Sequence, residues 1–366
     1  VPDNVLLVSF LRNCGDGSIA RLDCVDYPWE ILIRQARKSN LLSRVSAFLD
    51  KFDKLDAIPQ KYKQQFLNAY CVANANVRSV KWETQQIYNA LHAAGIEFAL
   101  LKGGAYVFTE NSAYKGRLFT DIDILVKYCD LSAAEKILML NGWLSSSIDN
   151  YNQKYYRQWM HEIPPLRHYQ RKSTLDVHHA ILPPTAALKP STERLWAKAV
   201  QLDGFSGLYV LENMDMILHS ATHLFHEGEF SQGLRDISDI DLLLREFILV
   251  DDSWENLLFR ARELNLERPL FYALSITKSL LETPVPDEIL NQAALVAKLG
   301  SLKRKIMNAL YVKALLPDHE TCKLRGSGSA RFLLYLRSHW LKMPWYLLLP
   351  HLSRKAWMRL AGKELH

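Results

Sequence analysis

At 366 residues, with 49% hydrophobic and 23% charged side chains, the chain has ordinary globular composition and enough length for a large core in two structural lobes. No apolar run reaches the roughly 18 residues of a membrane-crossing helix, and no basic n-region precedes Val5–Leu11, so neither a membrane span nor a signal peptide is expected. Five scattered cysteines (Cys14, Cys24, Cys71, Cys129, Cys322) without a Cys-x-x-Cys argue against a disulfide framework or structural zinc and for a reducing cytoplasm. The net charge of +6 is uneven, because Ser301–His366 carries 13 Lys+Arg against 3 Asp+Glu.

Residues 1 to about 80 read as helical. Apolar residues recur at helical spacing from Trp29 to Leu49 (Ile31, Ile33, Ala36, Leu41, Leu42, Val45, Phe48, Leu49). Pro59 suits a helix start. Tyr62 to Ala94 holds neither Pro nor Gly before Gly95 offers a C-cap, which predicts two helices or one kinked one. No chemistry is expected from this lobe. Ile96–Leu101 predicts a strand, Lys102-Gly103-Gly104 a turn into a helix, and Asp121–Val126 a second strand. Asp130 to Asn141 predicts an N-capped helix, Trp143 to Ile148 a strand, and Tyr151 to His161 a loop or hairpin near the site. Leu166–Gln170 and Thr174–His178 predict a hairpin around Arg171-Lys172-Ser173, and Pro183-Pro184 closes the core. Further helices are expected over Thr192–Val200, Asn213–Phe225, Ser231–Phe247, Trp254–Leu264, Pro269–Leu281 and Asp287–Leu315, with a flexible linker at Gly326-Ser327-Gly328-Ser329. The expected divisions are a helical region 1–95, an α/β core 96–185, a helical region 186–325 and a basic amphipathic tail 326–366.

Alternation places Asp121 and Asp123 on one strand face, roughly 6.5–7 Å apart along the chain. Like charges there repel unless a cation lies between them, and a hard ion such as Mg²⁺ (or Mn²⁺) takes such oxygens together with substrate phosphates. Glycines after a strand let backbone N–H groups approach a phosphate, so Lys102, Gly103 and Gly104 read either as a phosphate cradle or as a tight turn with a solvated lysine.

Three segments form one pattern: Leu101-Lys102-Gly103, then Arg117-Leu118-Phe119-Thr120-Asp121-Ile122-Asp123-Ile124-Leu125-Val126, then Asp176-Val177-His178. The pattern resembles a bacterial group of largely uncharacterised nucleotidyltransferases within the DNA polymerase β-like superfamily. The resemblance implies an α+β fold, a small mixed sheet with flanking helices set between N- and C-terminal helical regions. It implies metal ligation by Asp121 and Asp123, with Asp176 as a third carboxylate that binds the metal and helps deprotonate the attacking hydroxyl. Taken alone, Asp176 reads as a polar residue on a half-buried strand, sharing its face with His178. Arg117 reads either as a contact to phosphate or to the two aspartates, or as a surface arginine.

His219, His223 and His226 fall on one helix face. The resembled group carries similar histidine helices followed by an Arg and an Asp. That implies His223, His226, Arg235 and Asp239 opposite the carboxylates; a hydrogen-bonded cluster under the cleft is the equal alternative, and zinc is more remote.

The tail from Arg331 to Leu360 interleaves basic and bulky apolar residues. It reads as packed structure, as an anionic membrane-surface element or as an RNA contact. Packing is favoured, because Leu333, Leu334, Leu336, Trp340 and Leu341 are too apolar for a solvated tail, and Trp345 and Trp357 are expected to pack too. The resulting expectation is transfer of a nucleoside monophosphate from an NTP such as ATP to a small-molecule or sugar acceptor, with release of pyrophosphate. A tRNA-modifying toxin-like transferase and an inactive nucleotide-binding scaffold are the alternatives. A cytoplasmic location, peripheral to the inner membrane face if the tail binds lipid, and no stable protein partner complete the expectation.

Overall fold

The computed structural model describes residues 5–145, 150–226, 228–342 and 346. Four helices open the chain: α1 (Leu6–Asp16), α2 (Trp29–Lys38), α3 (Leu42–Lys51) and α4 (Gln60–His92). The helical periodicity from Trp29 to Leu49 is real but interrupted, since Asn40 adopts φ 55° between α2 and α3. Pro59 stands just before α4 as its N-cap. The helix runs 33 residues unbroken, so the predicted division into two is absent. At 1.5 Å per residue it is about 50 Å long. It buries one stripe through Phe66, Ala73, Val80, Thr84, Ile87 and Leu91. Gly95, at φ 69°, turns the chain out of it.

The α/β region follows as β1 (Phe98–Leu101), α5 (Lys102–Thr109), β2 (Asp121–Val126), α6 (Leu131–Leu140), β3 (Trp143–Ser145), α7 (Asn150–Trp159), β4 (Leu166–His168) and β5 (Thr174–His178). The predicted strand at Trp143 runs to Ser145, and residues 146–148 lie outside the described ones. The segment expected as a loop or hairpin is α7; its aromatic and polar composition hides a helical register that contains no breaker.

Next come α8 (Thr192–Trp196), β6 (Val200–Gln201) and β7 (Leu208–Val210). The seven strands form one mixed sheet in the order β3-β4-β5-β2-β1-β7-β6. β2 lies between antiparallel β1 and parallel β5, and β7 runs parallel to β1. The sheet therefore continues past residue 185, where the α/β core was expected to end. β6 and β7, at two and three residues, are too short to leave a period in the sequence.

The remaining helices are α9 (Asn213–His226), α10 (Gly233–Phe247), α11 (Trp254–Glu263), α12 (Glu267–Leu281), α13 (Asp287–Val296), α14 (Ser301–Leu315) and α15 (Ser327–Lys342). The stretch expected as one helix from Asp287 to Leu315 is two, divided near Lys298 at φ 53°. Of the Gly-Ser stretch expected as a linker, Ser327, Gly328 and Ser329 open α15. Ser327 Oγ accepts from the Leu324 amide at 3.2 Å, and Ala330 and Leu334 pack inward. Leu333, Leu336 and Trp340 are exposed on α15, against the packing expected of them, and Trp345 and Trp357 lie outside the described residues. One core joins the helical regions to the sheet, from Phe10 and Trp29 through Leu100 and Ile124 to Leu274 and Tyr311. No helix among the described residues is long and apolar enough to cross a membrane, and all five cysteines are free.

Candidate active site

The register of β2 decides what meets what. Asp123 pairs with Leu101 on one side and with Asp176 on the other. Paired residues of neighbouring strands point to the same face, so Asp123 and Asp176 stand side by side, with Asp121 two residues earlier on that face. The opposite face of β2, carrying Ile122, Ile124 and Val126, is buried in the core. Lys102 follows Leu101, enters α5 at φ 42°, and places Nζ 3.3 Å from Asp123 Oδ1. All three aspartates and Lys102 line one cleft of about 360 Å³.

The carboxylates are not equivalent. Burial works against the charge of Asp123, but Lys102 and His178, whose Nε2 is 3.0 Å from Oδ1, outweigh it and hold this carboxyl far below the usual range. Burial pushes Asp176 up to about 8, and the charges of Asp123 and Glu162 add to the shift. Its Oδ1 is buried without a hydrogen-bond partner. Asp121 stands at the solvent edge and accepts from Thr120 Oγ1 at 3.1 Å; burial and Asp123 raise its pKa. Asp121, Asp123 and Asp176 share this face, but among the described residues their oxygens do not form an ion-sized trio, as donors of His161, Glu162 and His178 do; a hard cation drawing on the orphaned Asp176 oxygen would displace its proton.

A stability prediction follows. Between the ordinary carboxylate range and about pH 8 the native state keeps a proton on Asp176 that the unfolded chain has released. Native stability therefore falls as pH rises through this window. Asp176→Asn is expected to raise stability without metal by about 1–3 kcal/mol at alkaline pH, the range for relieving an unsatisfied buried group. The gain should shrink toward pH 5. Thermal unfolding of both proteins across pH 5–9 checks it, and an Asn variant less stable at pH 9 contradicts it.

Paired charges complete the lining. Asp239 of α10 is buried at 2% exposure between two guanidiniums. Arg44 of α3 reaches its Oδ1 at 2.6 Å, and Arg117 pairs with Oδ2. Arg44 also donates to Ser238 Oγ at 3.2 Å and to the Ala113 carbonyl. The Arg117 guanidinium lies 5.5 Å from the Tyr106 ring centre and 5.6 Å from that of Phe119. Arg235 pairs with Asp236 at 2.7 Å and, with His223, faces the same cleft.

The loop leading into Asp121 is pinned from below. Gly116 sits at φ 66° with its carbonyl accepting from Ser43 Oγ at 2.7 Å, and an added Cβ would lie 2.4 Å from the Ser43 carbonyl oxygen. The Asn76 side chain of α4 bonds both backbone groups of Phe119, accepting at 2.7 Å and donating at 3.0 Å. Gly103 leaves room for the Phe119 ring, which an added Cβ would meet at 2.4 Å.

Residues 26–282 match the family described as Uncharacterised nucleotidyltransferase. The chain belongs to that family. No curated protein and no solved structure matches it. Membership makes the protein a transferase with a nucleotide substrate; the match ends at α12, leaving α13–α15 beyond it.

Within this nucleotidyltransferase the cleft gathers Lys102, Gly103, Arg117, Asp121, Asp123, Asp176, His178, His223, Arg235 and Asp239. It does not gather Gly104, which is packed in α5 with Leu100 as its nearest neighbour. Arg117 is not a surface arginine, and its ion pair is with Asp239 rather than with the aspartates it precedes. His178 is buried against Asp123 and Glu162, so it holds a carboxylate. His219 and His226 are buried, and the three histidines of α9 form no ion-sized group among the described residues.

Several residues of the cleft and of the framework behind it were missed from the sequence. Arg44 and Asn76 come from the lobe expected to carry no chemistry, and no local pattern marks them. His161 and Glu162 follow α7; His161 ends the segment read only as lying near the site, and Glu162 lies just past it. Lys342, at the end of α15, also lines the cleft. Thr185 Oγ1 donates to its carbonyl at 2.7 Å, and the Ala187 amide donates to Leu341 at 3.0 Å. This contact links residues far apart in sequence and leaves no motif.

Proposed function

We propose that this nucleotidyltransferase moves a nucleoside monophosphate from an NTP to a hydroxyl of a small-molecule or sugar acceptor, releasing pyrophosphate, in the cleft between Asp123 and Arg117. The charged lining of the cleft carries the reading: Asp121, Asp123 and Asp176 share it with the cations Lys102, Arg117, Arg235 and Lys342 and with Glu162, Asp236 and Asp239. Its volume of about 360 Å³ is that of a small-molecule site.

Asp121, Asp123 and Asp176 would hold Mg²⁺ or Mn²⁺. When bound there, such an ion neutralises charge on the phosphoryl oxygens and polarises them. Lys102 and Arg235 supply positive charge for the rest of the triphosphate, beside the N-terminus of α5. Arg117 is held rigid by Asp239 and its two aromatic rings, so it needs no reorganisation as charge develops. His178 fixes the orientation of Asp123. Asp176 keeps its proton in the metal-free cleft; once ionised in the loaded cleft, it is assigned to receive the acceptor's proton.

The direct test is binding of each NTP with and without Mg²⁺, followed by thermal shift. A ligand at 100 times its Kd stabilises the native state by about 2.7 kcal/mol. A rise that needs NTP and Mg²⁺ together is expected. No shift with any NTP at millimolar Mg²⁺ would sink the proposal.

A further inference from the structure

We propose that His161, Glu162 and His178 form a binding site for a divalent transition ion of the zinc class, distinct from the hard-cation site of the three aspartates. One donor atom from each of the three lies within 4.8 Å of the others. The backbone holds them in place: Glu162 bridges to His178, the Ile163 amide donates to the Val177 carbonyl at 3.1 Å, and the His179 amide donates to the His161 carbonyl at 2.8 Å.

The decisive observation is how His178 is held. Its Nε2 is 3.0 Å from Asp123 Oδ1, and its Nδ1 is 3.3 Å from Glu162 Oε2. A cation between Nδ1 and the Glu162 oxygen satisfies both, whether it is the proton of an imidazolium or a metal ion that replaces it. In a four-coordinate zinc site, N and O donors at about 2.0–2.1 Å from the metal stand about 3.3 Å apart, the spacing seen here.

His161 supplies the third donor. Its Nδ1 is buried with no hydrogen-bond partner, and its ring centre is 5.2 Å from that of His178. Such an orphan costs free energy unless something fills it. Two imidazoles and one carboxylate select the zinc class over Mg²⁺. Asp123 then backs His178 as the carboxylate behind a metal-bound histidine.

The site does not depend on the transfer reaction, so its test can fail independently of the proposed function. Full-length protein is titrated with Zn²⁺ in a large excess of Mg²⁺, which masks the aspartates. One tightly bound zinc is expected, with affinity falling at least about 10-fold in both His161→Ala and Glu162→Gln. Either no zinc bound in excess Mg²⁺, or affinity unchanged in both variants, overturns the site; a proton on His178 then bridges the two carboxylates instead. Because a variant could fail to fold, Co²⁺ absorption of the wild-type protein supplies the second readout. A four-coordinate spectrum with imidazole ligands supports the site, and an all-oxygen six-coordinate spectrum overturns it.

Discussion

Asp123→Asn is expected to lower turnover by about a thousandfold or more while lowering stability as well. The metal contribution to transition-state charge is several kcal/mol, and each 1.36 kcal/mol is tenfold in rate. Asp123 is the central ligand, paired in register with Asp176 and two residues from Asp121. The stability effect runs against a reading of the sequence as two repelling aspartates, in which losing either charge would stabilise. Asp123 is the carboxylate on which Lys102 and His178 converge, and Asn leaves both without their anion. A loss of about 1–3 kcal/mol is expected, the range for stranding a buried polar partner. Asp176→Asn should move stability the other way. Turnover at saturating Mg²⁺ and thermal midpoints of both variants check the pair; full activity in Asp123→Asn, or stabilisation by it, contradicts the assignment.

Asp239→Ala should destabilise the fold by about 3–5 kcal/mol, the range for breaking a buried ion pair by removing one partner. The carboxylate is 2% exposed and answers two guanidiniums at once. Its loss strands Arg44, whose side chain is 1% exposed, and Arg117 beside it. The loop from Gly116 to Phe119, which aims Asp121, then loses one of its anchors. Activity should therefore fall even where the variant remains folded. Denaturant unfolding measures the first effect. A loss below about 1 kcal/mol, the level of an exposed pair, would mean the cluster is solvated and does not organise the site.

The chemistry-bearing strands were legible because alternation and turn residues are local signals. Asp121, Asp123, Asp176 and His178 sit on strands that the pattern of apolar residues marks out. What surrounds them was legible only in part. Arg235 and Asp239 entered through the resembled group, but one of the two partners of Asp239 is Arg44, 195 positions away, and nothing near Arg44 records this. Asn76 looks like any polar residue of a long helix, though it clamps Phe119. α7 was read as a loop because its helix is short and largely polar, so apolar periodicity had little to act on. The end of α15 is held by the Thr185 hydroxyl and the Ala187 amide, both donating to backbone carbonyls of Leu341–Lys342, and a carbonyl acceptor leaves no mark in the sequence.

The central claim is that this cleft transfers the α-phosphoryl end of an NTP. The most direct measurement incubates the wild-type protein and Asp123→Asn with cell extract, Mg²⁺ and an NTP labelled at either the α- or the γ-phosphate. The products are then separated into small-molecule, RNA and protein fractions. The account predicts α-label in the small-molecule fraction with wild type alone, and γ-label released as pyrophosphate. α-Label in RNA would keep the chemistry and replace the acceptor. Transfer of γ-label to an acceptor, or α-transfer undiminished in Asp123→Asn, would contradict the account.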